Sequence, residues 1–278
     1  MLSPCAKINL GLNVVEKRND GYHNLETVFY PLPVYDALEV NTIPDSFPLD
    51  APYSLKVTGT DIQCEDHKNL VVKAYTMLAQ DHQLPRIFIN LHKGIPSQAG
   101  MGGGSSDAAF MLRLLNEKYQ LHLSLEQLQS YAARLGADCA FFITADAQRP
   151  MPVYATGIGE ELHPFHDEWN AIKGKWIALA KPNVAVSTQE AYAGITPTKP
   201  HKNCRDILLH QPIETWRNDL VNDFEQSVFH KLPILAETKQ MMYDHGAIYA
   251  AMSGSGSTIF GIFNEKPTIE CQFIIHNT

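Results

Sequence analysis

Apolar residues alternate through Ala6, Ile8, Leu10, Leu12 and Val14, while Lys7, Asn9, Gly11 and Asn13 fill the positions between them. That period of two predicts a half-buried strand, on which Lys7 and Asn9 are either merely the wet face or functional groups. Turn chemistry at Arg18-Asn19-Asp20-Gly21 then delivers Tyr22-His23 to a hairpin tip, and an extended run over 23–30 ends at Pro31. At such a tip a tyrosine and a histidine serve either as a local cap on the sheet or as a ligand clamp. Residues 36–43 and 53–58 read as two further strands. After Asn69 the period changes. Leu70, Val71, Ala74, Tyr75 and Leu78 recur at helical spacing behind a polar entry at 66–69. Residues 87–91 return to β-branched and aromatic strand character before Pro96.

Ala108, Ala109, Leu112 and Leu115 predict the next helix, with Ser105-Ser106-Asp107 standing where N-cap residues stand. A third helix opens at Ser124, has Gln127 at the capping-box position and stops at Gly136. Asp138 follows, the one carboxylate at the head of the apolar run 139–143; it is either the cap of a short helix or a catalytic group. Over 145–152 the texture changes, which divides the chain into domains at 1–150 and 151–278. In the second part 153–162 reads as strand and turn and 176–180 as strand, with Thr188 the N-cap of a short helix over 189–193. The polar stretch 197–211, with Lys199, Lys202 and Arg205, reads as a mobile loop. Helices over 221–230 and 233–246 precede a strand at 247–252, a second glycine turn at Ser253-Gly254-Ser255-Gly256-Ser257 and a return strand at 258–263.

Composition narrows the function classes. With 278 residues, 45% hydrophobic and 19% charged, the chain is an ordinary globular protein. A net charge of −8 argues against a general nucleic-acid or anionic-membrane binder, so any anionic ligand is held locally. The five cysteines (Cys5, Cys64, Cys139, Cys204 and Cys271) are odd in number and scattered, with no C-x-x-C. Neither a disulfide framework nor a zinc site is indicated, which suits a reducing compartment. No run of 18 apolar residues occurs, and the expectation is a soluble cytoplasmic protein.

The chemistry concentrates at Pro96-Ser97-Gln98-Ala99-Gly100-Met101-Gly102-Gly103-Gly104-Ser105-Ser106-Asp107-Ala108-Ala109. Four glycines within five residues supply backbone that enters positive φ and lets a bulky anion approach. Strand, glycine loop and helix N-terminus together aim free amides and the positive end of a helix dipole at a phosphate. No lysine follows Gly104, which excludes the Walker loop, and Ser105 stands where the dinucleotide fingerprint needs its third glycine. A flexible linker would not run from a strand straight into a capped apolar helix.

This loop is similar to the nucleotide loop of the GHMP small-molecule kinases. The chain carries further motifs in order: A-K-I-N-L-G-L from Ala6, D-G-Y-H-x-L-x-T from Asp20, L-G-A-D from Leu135, G-I-G-E from Gly157, N-D-F-E from Asn222 and M-S-G-S-G-S-T from Met252. The likeness spans nearly the whole chain. In D-G-Y-H and the lysine strand the chain resembles, within that family, the branch that phosphorylates the 2-hydroxyl of diphosphocytidyl-methylerythritol on the non-mevalonate route to isopentenyl diphosphate. One departure is Cys139-Ala140, where that branch carries valine and proline after the aspartate.

The resemblance implies a two-domain α+β kinase, with an N-terminal domain like ribosomal protein S5 domain 2 and a ferredoxin-like C-terminal domain. It implies ATP and Mg²⁺ as cofactors, with no metal ligand assigned, and a monomer or weak homodimer. Asp138 would be the base and Lys7 the cation that steadies the alkoxide and the γ-phosphate. The triphosphate would meet Pro96, Gly100, Gly102, Gly103, Gly104, Ser105 and Ser106, and the adenine would meet Asn69, Leu70 and Lys93. The cytidine end would fall to Asn9, Tyr22, His23, Thr188 and Tyr192. A homoserine- or mevalonate-type kinase would keep the glycine loop and Asp138 but has no use for Tyr22-His23; a non-catalytic nucleotide binder has no use for Lys7 and Asp138 together.

Overall fold

The computed structural model describes residues 1–60, 62, 64–165, 169–200 and 202–277. Two compact units emerge: Met1–Ala6, Leu32–Ser97 and Gly102–Arg149 form the first, and Lys7–Pro31, Gln98–Met101 and Pro150–Thr278 the second. The chain therefore passes from the first to the second at Arg149–Pro150, but it also changes unit within β1 (Cys5–Lys17), within β2 (His23–Tyr35) and twice inside the glycine loop.

In the first unit β3 (Ala37–Thr42), β4 (Tyr53–Gly59) and β5 (Ile87–Lys93) form a sheet with β5 in the middle, antiparallel to β3 and parallel to β4. Register pairs Leu38 with Leu91 and Val40 with Ile89, so these four buried residues share one face. Asn69 caps α1 (Leu70–Asp81) by accepting the Val71 N–H, and α1 buries Val71, Val72, Ala74, Tyr75 and Leu78. This face packs against α2 (Gly103–Lys118), whose buried side includes Ala108, Met111, Leu112 and Leu115. The expected capping box of Ser124 and Gln127 is present at the head of α3 (Leu125–Leu135), and the one-turn α4 (Cys139–Phe142) follows.

In the second unit β1 and β2 join β6 (Val153–Thr156) and β7 (Glu161–Pro164) in the order β1-β2-β6-β7. A second sheet contains β8 (Trp176–Ala180), β9 (Tyr249–Met252), β10 (Ile259–Phe263) and β11 (Phe273–His276) in the order β11-β8-β10-β9. Numbered along the chain, its strands lie fourth, first, third, second, the order of a ferredoxin-like sheet; residues 264–272, between its last two strands, form no helix. Between β8 and β9 run α5 (Thr188–Ala193), α6 (Cys204–His210), α7 (Trp216–Asp219), α8 (Phe224–Lys231) and α9 (Pro233–Asp244). Leu12, Val14, Ala178, Phe224, Val228, Leu235, Met242, Met252 and Ile259 meet in one core, whose apolar burial is the main stabilising term of this unit.

Several expectations are corrected. β1 is covered on both sides, so Lys7, Asn9 and Asn13 are buried rather than wet; their polar atoms bond to one another and to Thr27 and Glu26. The helix expected from 221 starts only at Phe224, because Asn222 bridges to Leu12 of β1 instead. Within the expected mobile loop 197–211, of which residue 201 lies outside the described residues, Asn203 caps α6 through the Asp206 N–H. Cys204, Ile207 and Leu208 give that helix a buried face which its polar neighbours conceal in the sequence. Ser187, with Glu190 completing a capping box, takes the cap role expected of Thr188. Strand β2 continues through Pro31 to Tyr35, and β11 was not anticipated.

Candidate active site

The glycine loop enters α2 earlier than expected. Gly102 is the N-cap in the left-handed region at φ 70°, and Ser105, Ser106 and Asp107 lie inside the first turns rather than at the cap. The first intrahelical bond runs from the Ser106 N–H to the Gly102 carbonyl at 2.8 Å. The N–H groups of Gly103, Gly104 and Ser105 therefore lead off the helix without acceptors of their own in it. Gly104 is exposed and Ser105 half-buried, whereas Ser106 is fully buried with its Oγ unpartnered among the described residues. Three outward amides at the positive end of a four-turn helix make an anion site.

The preceding residues 98–101 are held by the second glycine turn. Ser257 and Thr258 donate their N–H groups to the carbonyls of Gln98 and Ala99 at 3.4 and 3.2 Å. Ser253 Oγ donates to the Gly100 carbonyl at 2.9 Å, and the Lys7 N–H donates to that of Met101 at 3.0 Å. At Gly100, φ is 69° and a Cβ would collide with the Ser253 carbonyl, so only glycine fits. The N-D-F-E segment in turn holds that turn. Asn222 Nδ2 donates to the carbonyls of Met252 at 2.7 Å and Gly254 at 2.8 Å, and Glu225 Oε1 accepts the Met252 N–H at 2.8 Å. Asp223 takes the Val14 N–H at 2.7 Å; burial raises its carboxyl pKa, and this bond opposes the rise.

Lys7 is 3% exposed. Its ammonium donates to Asn9 Oδ1 at 2.6 Å and lies 5.3 Å from the centre of the Phe29 ring. Asn9 Nδ2 donates to Thr27 Oγ1 at 2.9 Å, and Thr27 Oγ1 donates to the Gly11 carbonyl at 2.5 Å. Lysine offers only donors, so this chain of bonds fixes the Asn9 amide with its oxygen toward Lys7. Gly254 keeps the space beside them open, since a Cβ there would sit 3.3 Å from Asn9 Oδ1 and 3.4 Å from Lys7 Nζ.

Asp138 occupies the N-cap position of α4, and its carboxylate makes no cap hydrogen bond there. The next residue, Cys139, is buried, and burial pushes its thiol up to about 12 against the opposing pull of the Ser105 hydroxyl. That thiol is therefore an inert packing group.

Of the residues expected at the substrate end, His23 and Tyr192 come together, their rings stacked at 4.8 Å and 16°. No base fits between those two rings. Tyr22 stands at the hairpin tip with 61% of its surface exposed, and Thr188 Oγ1 lies 3.3 Å from Ser255 Oγ of the second glycine turn.

Of the residues expected around adenine, Asn69 is buried as the α1 cap, and Leu70 lies below the α2 N-terminus, 3.7 Å from where a Gly104 Cβ would be. Lys93 is buried and paired with Asp36 and with Asp107, the latter at 2.6 Å. Burial would lower its pKa, but these two carboxylates raise it above the usual value. The partners of Lys93 were missed: Asp36 read as the start of a strand and Asp107 as a cap. Beside these residues a cavity of about 270 Å³ is lined by Leu55, Val57, Thr58, Gly59, Cys64 and Asp66 among others. Thr60 of its wall donates its N–H to the Lys93 carbonyl at 2.9 Å. Among the described residues no three His, Cys, Asp or Glu side chains converge to hold a metal ion.

The sequence matches the family description "GHMP kinases N terminal domain" over residues 69–146 and "GHMP kinases C terminal" over 205–270. It is 52% identical over 266 residues to a 4-diphosphocytidyl-2-C-methyl-D-erythritol kinase of Bacteroides fragilis, covering 96% of this chain and 93% of that one. The counterpart from Bacteroides thetaiotaomicron is 50% identical with the same coverage. A crystal structure of 4-(cytidine 5'-diphospho)-2C-methyl-D-erythritol kinase superposes with a TM-score of 0.73 at 30% identity, covering 94% of this chain and 89% of that one. The Methanococcus jannaschii mevalonate kinase, 12% identical over 95% of this chain and 90% of its own, shares the fold with a TM-score of 0.60.

Proposed function

This chain belongs to the GHMP kinases and, among them, to the 4-diphosphocytidyl-2-C-methyl-D-erythritol kinases; we propose that it moves the γ-phosphoryl group of ATP to the 2-hydroxyl of that substrate with Asp138 as base and Lys7 as the stabilising cation. The observation that carries this reading is Lys7. Burying an ammonium costs several kcal/mol, and here it lies on a strand between an oriented amide and a glycine that keeps its flank open. Phosphoryl transfer asks mainly for positioning and charge stabilisation, so one cation, one carboxylate and converging amides are an adequate set.

In this account the Gly103, Gly104 and Ser105 amides take the phosphates, and the second glycine turn keeps 98–101 in register. The cavity beside Lys93 receives the adenine, with Asn69 and Leu70 at the head of α1. Mg²⁺ would be held by the phosphates with one or two carboxylates rather than by an all-protein cage, and would supply neutralisation of the phosphate charge. Asp138 receives the proton of the acceptor hydroxyl, and Lys7 stabilises the oxygen that loses it. At the far end of the substrate, His23, braced by Tyr192, reads the cytosine edge, and Tyr22 offers a ring for stacking. Among the described residues no helix is long and apolar enough to cross a membrane.

The test is ATP consumption against 4-diphosphocytidyl-2-C-methyl-D-erythritol, mevalonate and homoserine. Turnover with the first alone is expected. Preference for either of the others would overturn the assignment, and no turnover with any would favour a non-catalytic nucleotide binder.

A further inference from the structure

Asp36, in the tight link between β2 and β3, is surrounded by donors. Its Oδ1 accepts the N–H groups of Gly94 at 2.7 Å and Ile95 at 2.8 Å, and its Oδ2 pairs with the Lys93 ammonium. Lys93 also donates to Asp107 Oδ2 at 2.6 Å, two residues beyond the last of the outward amides. The three side chains are between 0% and 5% exposed. Gly94 lets the segments close up, because a Cβ there would meet the Tyr35 carbonyl at 2.5 Å. Lys93 lies directly beneath the phosphate-facing turn: a Cβ on Gly103 would sit 3.4 Å from its Nζ and 3.1 Å from Ile95 Cγ2.

A buried ammonium at the positive end of a helix opposes both solvation and the helix dipole. Two carboxylates hold it there nonetheless. The arrangement thus spends its electrostatics on tying the end of β5, the turn at 94–95 and the first turns of α2 into one piece. We infer that Asp36 is a positioning residue for nucleotide binding, which acts through Gly94, Ile95, Lys93 and Asp107 to hold the Gly103, Gly104 and Ser105 amides converged on the triphosphate. This rests on the reading that the α2 N-terminus takes the phosphates.

Asp36→Asn keeps the shape and an oxygen for the two backbone donors, but it places an amide where Lys93 needs an acceptor. Lys93 and Asp107 remain as a neutral pair, so the fold survives. Calorimetric titration with ADP should then show Kd raised about tenfold, the weakening that follows from losing the net contribution of about one hydrogen bond. The KM for ATP should rise by the same factor, while the KM for the alcohol substrate stays within about twofold and kcat within about threefold. Asp107→Asn cuts the same tie from the other side and should act alike, which secures the test if Asp36→Asn does not fold. Gly104→Val, whose Cβ would meet only Leu70 Cδ1 at 3.7 Å and so leaves the ion triplet untouched, is measured in parallel and separates the two claims. Unchanged ADP affinity in the folded Gly104→Val protein would remove the phosphate site itself. Weakened binding there, with a lower Tm but unchanged ADP affinity in Asp36→Asn or Asp107→Asn, would make the ion triplet merely structural and overturn the inference.

Discussion

Asn222 offers the sharpest test of how the second glycine turn is held. Its side chain is 3% exposed and makes three bonds, two donated to the carbonyls of Met252 and Gly254 and one accepted from the Phe224 N–H. Asn222→Ala strips the partner from all three groups. Each buried group left unsatisfied costs about 1–3 kcal/mol, and a void of this size admits a water that recovers part of it, so the loss should be about 3 kcal/mol. For a chain of this length that lowers Tm by roughly 6–12 °C, read by scanning calorimetry. Asn222→Asp is the decisive control. It has the same shape and still accepts from Phe224, but its carboxylate would face two carbonyl oxygens with nothing to donate. If the hydrogen bonds matter, Asp is worse than Ala; if packing alone matters, Asp is milder. Because Gly254 borders Lys7 and Asn9, both variants should also lose more turnover than their folded fraction explains. Wild-type Tm and kcat in either variant, or a milder Asp, would refute the reasoning.

Two further outcomes follow from the substrate and nucleotide ends. Uracil reverses the donor and acceptor that cytosine presents, and each buried group left unpaired costs about 1–3 kcal/mol, so kcat/KM should strongly favour the diphosphocytidyl substrate over its diphosphouridyl analogue. His23→Ala should narrow that ratio, whereas Tyr22→Ala should weaken both substrates together; equal kcat/KM in the unmodified enzyme would remove the cytosine-reading pocket. Burial raises the thiols of Cys5 and Cys139 to about 12, above rather than below the assay pH, so at pH 8 their thiolate fraction is on the order of 10⁻⁴. Iodoacetamide should therefore label the exposed Cys64 first, and ADP should slow that labelling if the cavity Cys64 lines receives the base. Peptide mass spectrometry reads both; labelling of Cys64 that ADP leaves unchanged would place the adenine elsewhere.

The local signals in the sequence carried far where chemistry acts over a few residues. Ser124 stands out as a cap, and 66–69 as a helix entry, because polar side chains and an apolar stripe lie within one turn of each other. The glycine loop is legible for the same reason, and so is its direction into α2. What the sequence conceals depends on distant partners. Lys7 and Asn9 look like a wet face because alternation reports one covered side, and the bonds that make the second side habitable come from Thr27, 18 residues beyond Asn9. Asp36 finds its partners 57, 58 and 59 residues away, at Lys93, Gly94 and Ile95, so nothing near it marks it as special. Polar letters also hid α6, whose buried face consists of Cys204, Ile207 and Leu208 alone. At Asp138 the sequence left two roles open, and in the structure its carboxylate makes no cap hydrogen bond.

The central claim is that Asp138 and Lys7 carry the chemical step while the glycine loop carries nucleotide binding. Steady-state turnover of Asp138→Asn and Lys7→Ala with saturating 4-diphosphocytidyl-2-C-methyl-D-erythritol, paired with ADP titration of the same proteins, tests it most directly. General-base assistance contributes about 10²–10⁴-fold, so kcat should fall by that order or more in Asp138→Asn, and comparably in Lys7→Ala, with ADP affinity unchanged. Near-normal kcat in either variant would contradict the account and return that residue to a structural role.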